Sequence, residues 1–169
     1  FRSVGGGVVG CETAHWLANE YGKNVTVLEM LPHFMMGVCT ANRGHLLHYL
    51  EKSGVRLYNC TKVKALAKDG VYVEQNQSQT VPDPYNTWQP LLPPNIPNPM
   101  EKAIKEEIVE KKIPADLIVL AMGGKADETF FFEAGEEHLA KEIYNIGDSS
   151  RAGRVLEAVR GAYHLAVRI

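Results

Sequence analysis

"VGGGVVGCETA", residues Val4 to Ala14, sets three glycines in a row, a fourth three positions on, and a glutamate two after that. Gly5, Gly7 and Gly10 satisfy G-x-G-x-x-G. Alone the pattern is weak, because glycine turns are common; its setting strengthens it. A stub of strand, Ser3–Val4, leads into it. Val9 to Tyr21 then reads as a helix: Val9, Thr13, Trp16, Leu17 and Tyr21 recur at three and four and build one apolar face. Gly22 closes that helix. "NVTVLEM", residues 24–30, is short, β-branched and apolar, and reads as a buried parallel strand. It carries an acid, Glu29, 19 positions beyond Gly10, close to the spacing of about 20 that a dinucleotide-binding βαβ unit shows.

In that frame each residue has a physical task. Gly5 permits the tight turn, Gly7 lets a pyrophosphate approach the backbone, and Gly10 lets the helix pack close to the sheet. Gly6, Val8 and Val9 complete the loop and first turn, whose free N–H groups and partial positive charge favour phosphate. Glu29 would accept hydrogen bonds from adenosine ribose hydroxyls and repel a 2′-phosphate, which selects NAD(H) over NADP(H). The competing reading is a strand–turn–helix that holds no ligand.

The frame continues outward. Thr40 to Ser53 reads as a helix with Leu46, Leu47 and Leu50 inward, closed by Gly54, and "VRLYNCT" (55–61) as the next strand. This β-α-β-α-β order with short connections implies a parallel sheet and right-handed crossovers. "KVKALAKDGVYVEQN" (62–76) is two alternating runs around Asp69-Gly70, a hairpin signal. Residues 82–99 hold seven of the nine prolines and read as a surface excursion, extended or disordered. Residues 100–112 fit either a charged helix, with Ile104 and Ile108 on one side, or a last insert strand around "EEIVEKK". "ADLIVLAMG" (115–123) reads as a central parallel strand, apolar on both faces. A loop with Phe130, Phe131 and Phe132 follows; the phenylalanines suit a core or domain contact better than a cofactor box. "EIYNIGD" (142–148) reads as a short strand and Arg154–Ile169 as a helix with Val155, Val159, Ala162 and Ala166 in one stripe. The expected fold class is α/β: a doubly wound, Rossmann-like parallel sheet with a small antiparallel β insert.

Composition narrows the function. At 169 residues the chain suits one domain of ordinary size. It is 45% hydrophobic and 22% charged, with net charge −2 and no dense Lys/Arg run, which speaks against nucleic-acid partners. No apolar run nears the roughly 18–20 residues that span a bilayer, and no signal peptide opens the chain, so no membrane partner and a cytoplasmic location are expected. Cys11, Cys39 and Cys60 are odd in number and widely spaced, with no CxxC pair. That pattern argues against a disulfide framework, a zinc cluster or a dithiol redox centre, and leaves each expected as a small buried apolar residue. His15, His33, His45, His48, His138 and His164 show no ligand spacing and read as structural or exposed. No catalytic side chain and no metal ligand is expected.

"VGGGVVGCETA", "VTVLEM", "ADLIVLAMGGKAD" and "EIYNIGD", in that order, resemble FAD/NAD(P) flavoproteins of the pyridine-nucleotide-disulfide-oxidoreductase type. "NIGDSSRAGRVLEAVRGAYHLAVRI" resembles the C-terminal stretch of 2-enoate reductase and 2,4-dienoyl-CoA reductase, in the NADH:flavin oxidoreductase family. In such enzymes an N-terminal barrel holds FMN, and an iron–sulfur cluster passes it electrons from an FAD that NADH reduces. The FAD domain is split around the NAD domain. The resemblance therefore implies residues 1–146 as an NAD(H)-binding domain and 147–169 as the returning segment of the FAD domain. It implies that Asp148 bonds the FAD ribityl chain with Gly147 allowing close approach, that Glu12 lies near the nicotinamide, and that Gly123 borders the same side of the site. The family often carries Pro-Asn where Ala126-Asp127 stands here. The implied activity is presentation of NADH for hydride transfer to FAD, as part of a larger flavoprotein whose other flavin domains are this chain's partners. Two alternatives stay open: a nucleotide-binding module without activity of its own, and a domain of a disulfide reductase or NADH oxidase.

Overall fold

The computed structural model describes residues 1–87, 92, 95, 96, 98, 99 and 102–169. The chain divides into two compact units, Phe1–Met122 and Gly123–Ile169.

The first unit runs β1 (Arg2–Val4), α1 (Val8–Tyr21), β2 (Thr26–Leu28), α2 (Thr40–Lys52), β3 (Arg56–Tyr58), β4 (Thr61–Ala67), β5 (Gly70–Asn76), β6 (Ile108–Pro114) and β7 (Ile118–Leu120). β3, β2, β1 and β7 form one sheet in that order, every pair parallel. Thr26, Val27 and Leu28 are buried, as a strand covered on both faces requires. The strand order reverses beside β1: the chain goes to β2 on one side and returns as β7 on the other. In open α/β sheets that point opens a crevice at the carboxyl ends of the strands, and the glycine loop leaves β1 there.

β4, β5 and β6 form a separate antiparallel sheet. The expected hairpin forms, but its turn is Lys68-Asp69, one residue before the expected Asp69-Gly70, and of the two readings of 100–112 the insert strand holds, as β6 over Ile108–Pro114. Val71, Val73 and Ile113 pack with Val4 and Leu28, which ties this sheet to the parallel one.

Several sequence expectations are corrected. α1 does not bury the Val9–Trp16–Tyr21 stripe; Val9 is 68% exposed, and Gly10, Cys11 and Ala14 face the core instead. Small residues win because this helix lies close against the sheet. The strand expected over 55–61 is only three residues long, because Asn59-Cys60 turns the chain into β4. β7 is an edge strand among the described residues, not a central one, and its Leu120 is 55% exposed.

The proline-rich excursion is tied down at its start. The Tyr85 hydroxyl donates to Val55 O (2.6 Å) and accepts the Leu57 N–H (3.2 Å), so it covers the outer edge of β3. Asn59 Nδ2 donates to Pro82 O (2.8 Å) and to Pro32 O (2.7 Å). Much of 88–101 lies outside the described residues.

The second unit holds α3 (Thr129–Glu136), a 3-10 turn (Gly147–Ser149) and α4 (Val155–Ala166). Phe130–Phe132 lie in α3, not in a loop; Asp127 opens the helix by accepting from the Thr129 N–H and hydroxyl. Phe130 and Phe132 are exposed, so they are not core of this unit. "EIYNIGD" forms no strand among the described residues: 143–146 lead straight into the 3-10 turn. The α4 stripe is largely exposed, with Val155 at 80%. No helix of the described residues is long and apolar enough to cross a membrane.

Candidate functional site

The glycine loop is built from its contacts. Gly5 has φ +111°, and a Cβ there would collide with the Ala121 carbonyl beyond β7. Only glycine closes this turn. Gly6 is buried, and a Cβ on it would strike the Phe34 ring and Glu29 Cβ. Its N–H donates to Glu29 Oε2 (2.7 Å), and its carbonyl accepts the Met35 N–H (2.8 Å). Gly7 differs: it is exposed, and a Cβ there would meet nothing within 4 Å. It is the N-cap of α1 with extended backbone and no side-chain cap. Gly10 is buried, and its Cβ would collide with the Gly5 carbonyl. Val8 packs against the core, Val9 stands in solvent, and Glu12 is exposed on α1 beyond its first turn.

Glu29 is held by backbone on both sides: its N–H donates to Tyr58 O and its carbonyl accepts the Thr61 N–H, both at 2.8 Å. Its carboxylate bridges two loops, Oε2 accepting from Gly6 and Oε1 from the Leu31 N–H at 2.8 Å. A carboxylate offers about four acceptor positions, so two remain for ligand hydroxyls.

The residues under the loop escaped sequence reading. Phe34 and Met35 are buried and form its floor, with Met35 at φ +54°, the left-handed region that a non-glycine residue enters at a cost. Nothing in the spacing of "LPHFMMG" announces this. Arg43 is buried to 3% exposure and donates from Nε to Phe34 O (2.9 Å). A signal for it exists: Arg43 precedes Leu47 by four and Leu50 by seven, on the same inward face of α2.

The cysteines fall into three environments. Cys11 is buried beside Gly6, and burial pushes its thiol up to about 12, with the Glu29 charge adding to the effect. Such a thiol stays protonated and is no nucleophile. Cys60 is half-buried and is also raised by burial. Cys39 is exposed, contrary to the expectation that all three are buried. His33 is buried; His15, His45 and His48 pack their rings around Tyr49. No cluster of His, Cys, Asp or Glu among the described residues could hold a metal ion.

In the second unit Gly123 and Gly147 take positive φ, +84° and +68°. Asp148 Oδ1 accepts the Gly153 N–H at 3.2 Å. A cleft of ≈ 550 Å³ is lined by residues including Asn145, Gly147, Arg151 and Arg154; Asp148 is not one of them. Arg154 pairs with Glu157 at 2.6 Å, which holds the Glu157 carboxyl down at about 2.

The sequence profile of the pyridine nucleotide-disulphide oxidoreductases matches residues 3–160. The chain belongs to this family. Membership implies a pyridine nucleotide and FAD as cofactors. Among curated relatives of this pyridine nucleotide-disulphide oxidoreductase chain is an NADH oxidase of Thermoanaerobacter brockii, 26% identical over 98% of the chain and 21% of the relative. A cinnamate reductase of Clostridium sporogenes is 22% identical over 98% of the chain and 20% of the relative. The chain thus spans about a fifth of the length of the curated relatives it matches. Among solved structures, a 2-naphthoyl-CoA reductase in complex with 2-naphthoyl-CoA superposes with a TM-score of 0.72 at 24% identity, over 99% of this chain and 21% of that one. Histamine dehydrogenase from Rhizobium sp. 4-9 gives 0.68 at 14% identity, over 99% and 22%. At these identities the superpositions establish the fold, and the relatives establish an oxidoreductase parentage.

Proposed function

We propose that residues 1–146 bind NADH and that residues 147–169 complete a split FAD-binding domain, within a flavin-dependent oxidoreductase of the 2-enoate reductase and 2,4-dienoyl-CoA reductase kind. Gly7 carries this reading: it alone of the loop glycines faces open space, at a helix N-terminus with no side-chain cap. Gly5, Gly6 and Gly10 are glycine because protein atoms crowd them. Gly7 needs another reason, and a phosphate approaching the backbone supplies one.

The first N–H groups of α1, from Val8 and Val9, have no intrahelical acceptor and would hold the pyrophosphate. The free acceptor positions of Glu29 would take the adenosine ribose hydroxyls and reject a 2′-phosphate. Glu12 and Gly123 belong to the nicotinamide side, Gly147 and Asp148 to the FAD ribityl chain. When bound, the nicotinamide supplies a hydride and the flavin accepts it. The protein's part is position and electrostatics, and no side chain here acts as acid or base. FMN and an iron–sulfur cluster belong to this reading through the longer protein. The relative named NADH oxidase favours a second reading, in which the flavin passes its electrons to oxygen rather than to an enoate.

The test is anaerobic stopped-flow reduction of the flavin in the full-length protein by NADH and by NADPH. NADH is expected to reduce the flavin at lower concentration. Equal saturation by NADPH removes the role of Glu29, and no reduction by either removes the whole reading.

A further inference from the structure

Arg43 is a buried cation with no ion pair among the described residues, at the far end of a hydrogen-bonded line that reaches the glycine loop. Its Nε–H donates to Phe34 O at 2.9 Å. The N–H of the same peptide group, on Met35, donates to Gly6 O at 2.8 Å. The N–H of the Gly6 peptide group is that of Gly7. In a trans peptide the C=O and N–H point in opposite directions. With the Gly6 carbonyl turned to Met35, the Gly7 N–H points the opposite way, and Gly7 itself is exposed, with nothing within 4 Å of where its Cβ would stand. The guanidinium and two peptide dipoles therefore line up, positive end outward. Hydrogen bonds in such a chain polarise one another, most strongly where water is excluded.

We propose that Arg43 is the positioning residue of the cradle, relaying its charge through the Phe34–Met35 and Gly6–Gly7 peptides to the Gly7 N–H, which would join those of Val8 and Val9 on a dinucleotide pyrophosphate. This rests on the NADH reading above. The line also runs through the floor. Met35, at φ +54°, directly follows the Phe34–Met35 peptide, which is held at both ends by the bonds to Gly6 O and from Arg43 Nε. The guanidinium is an unusual choice for the α2 core face. A leucine there would pack without desolvating a charge, and burial already pulls the Arg43 pKa below its ordinary value. Its second contact, Nη1 to Asn86 O at 3.4 Å, runs to the docked start of the proline-rich segment and offers no counter-charge.

The experiment compares Arg43→Gln, which keeps an N–H donor for Phe34 O but no charge, with Arg43→Lys, which keeps the charge. Dissociation constants are measured by calorimetry in the full-length protein for ADP-ribose, which has the pyrophosphate, and adenosine, which lacks it. Arg43→Gln is expected to weaken ADP-ribose by about tenfold and leave adenosine within about twofold, with Arg43→Lys within about threefold of the parent for both. Unchanged ADP-ribose binding in Arg43→Gln overturns the proposal. So does an equal loss for both ligands in both variants, which would make Arg43 a purely structural residue. Should Arg43→Gln not fold, Arg43→Lys decides alone: ADP-ribose within about threefold of the parent supports the relay, and a loss beyond about tenfold overturns it. A parent protein that binds neither ligand refutes the NADH reading itself, whereas a parent that binds both while Arg43→Gln is indifferent refutes only Arg43.

Discussion

Gly7→Ala separates binding from folding more cleanly than any other change in the loop. Gly7 sits at φ −70° and ψ −179°, extended backbone that alanine adopts without strain. Its new Cβ meets no protein atom within 4 Å. Two small stability terms oppose each other: alanine is a poorer N-cap by about 0.5–1 kcal/mol, and it lowers the unfolded chain's entropy by about 0.4–1 kcal/mol. The net is within about 0.5 kcal/mol, a shift of roughly 1–2 °C in melting temperature for a chain of this size. Binding is different, because the methyl group stands where a pyrophosphate would touch the backbone. Crowding a fitted site costs about 1–3 kcal/mol, or about 5- to 150-fold in dissociation constant. Calorimetry with ADP-ribose and a thermal melt read both quantities on one preparation. Gly10→Ala is the control: its Cβ collides with the Gly5 carbonyl, and Gly5 is itself wedged against Ala121, so stability falls along with binding. Gly7→Ala binding within twofold of the parent would refute the cradle.

Glu29→Gln keeps one oxygen for the loop but removes the charge, and is expected to raise affinity for NADPH relative to NADH by about tenfold; an unchanged ratio in competition assays counts against the ribose role. Cys11 is held protonated, with its thiol raised from 9.0 to about 12, so an aromatic disulfide reagent at pH 8 should label Cys39 and reach Cys11 only in denaturant. The same shift predicts that stability is intact below pH 9 and declines towards pH 12, where the unfolded chain loses a proton the folded one keeps. The decline is at most about 1.4 kcal/mol per pH unit and should vanish from the difference between parent and Cys11→Ala if Cys11 is not its source. Tyr85→Phe deletes the hydroxyl that serves Val55 O and Leu57 N at the edge of β3, and should cost about 1–2 kcal/mol in a denaturant melt; an unchanged midpoint would show that water replaces it freely.

The first βαβ unit was legible because local signals and tertiary demands agree there. A β-branched run bounded by Gly22 and Glu29 makes a strand on either argument. The hairpin is likewise legible from its two alternating runs, although its turn is Lys68-Asp69 and Gly70 opens β5, where a Cβ would strike the Ile113 carbonyl of the facing strand. The α1 face was misread because periodicity counts large apolar residues, whereas the close approach that Gly10 permits selects small ones: Cys11 and Ala14 go inward and Trp16 outward. "ADLIVLAMG" does supply a parallel strand, but its central place and the strand expected at "EIYNIGD" do not hold among the described residues, because apolar composition does not say which neighbour pairs a strand. β7 has one partner among the described residues, and 143–146 has none. Of the site, the glycines and Glu29 announced themselves by spacing. Phe34 and Met35 did not, since their connection to Gly6 runs through backbone groups that carry no residue identity; the spacing of Arg43 with Leu47 and Leu50 signals its inward face but not its bond to Phe34 O.

That backbone connection bears on which ligand the NADH reading selects. Residue Gly6 is held on both sides, its N–H by the Glu29 carboxylate and its carbonyl by the Met35 N–H, which fixes two successive peptide groups. Glu29 spends one oxygen position on Gly6 and one on Leu31, so ribose hydroxyls can join without displacing either. In the NADH reading, the ribose side at Glu29 and the pyrophosphate side at Gly7 would be two ends of one hydrogen-bonded piece. A ligand that spans both avoids the ordering cost twice, and one that reaches a single end avoids it once. In that reading the bracing would favour a dinucleotide over a mononucleotide by preorganisation, without a side chain dedicated to the difference. By the same logic, a change on the floor at Phe34 or Arg43 should weaken the intact dinucleotide more than either of its halves.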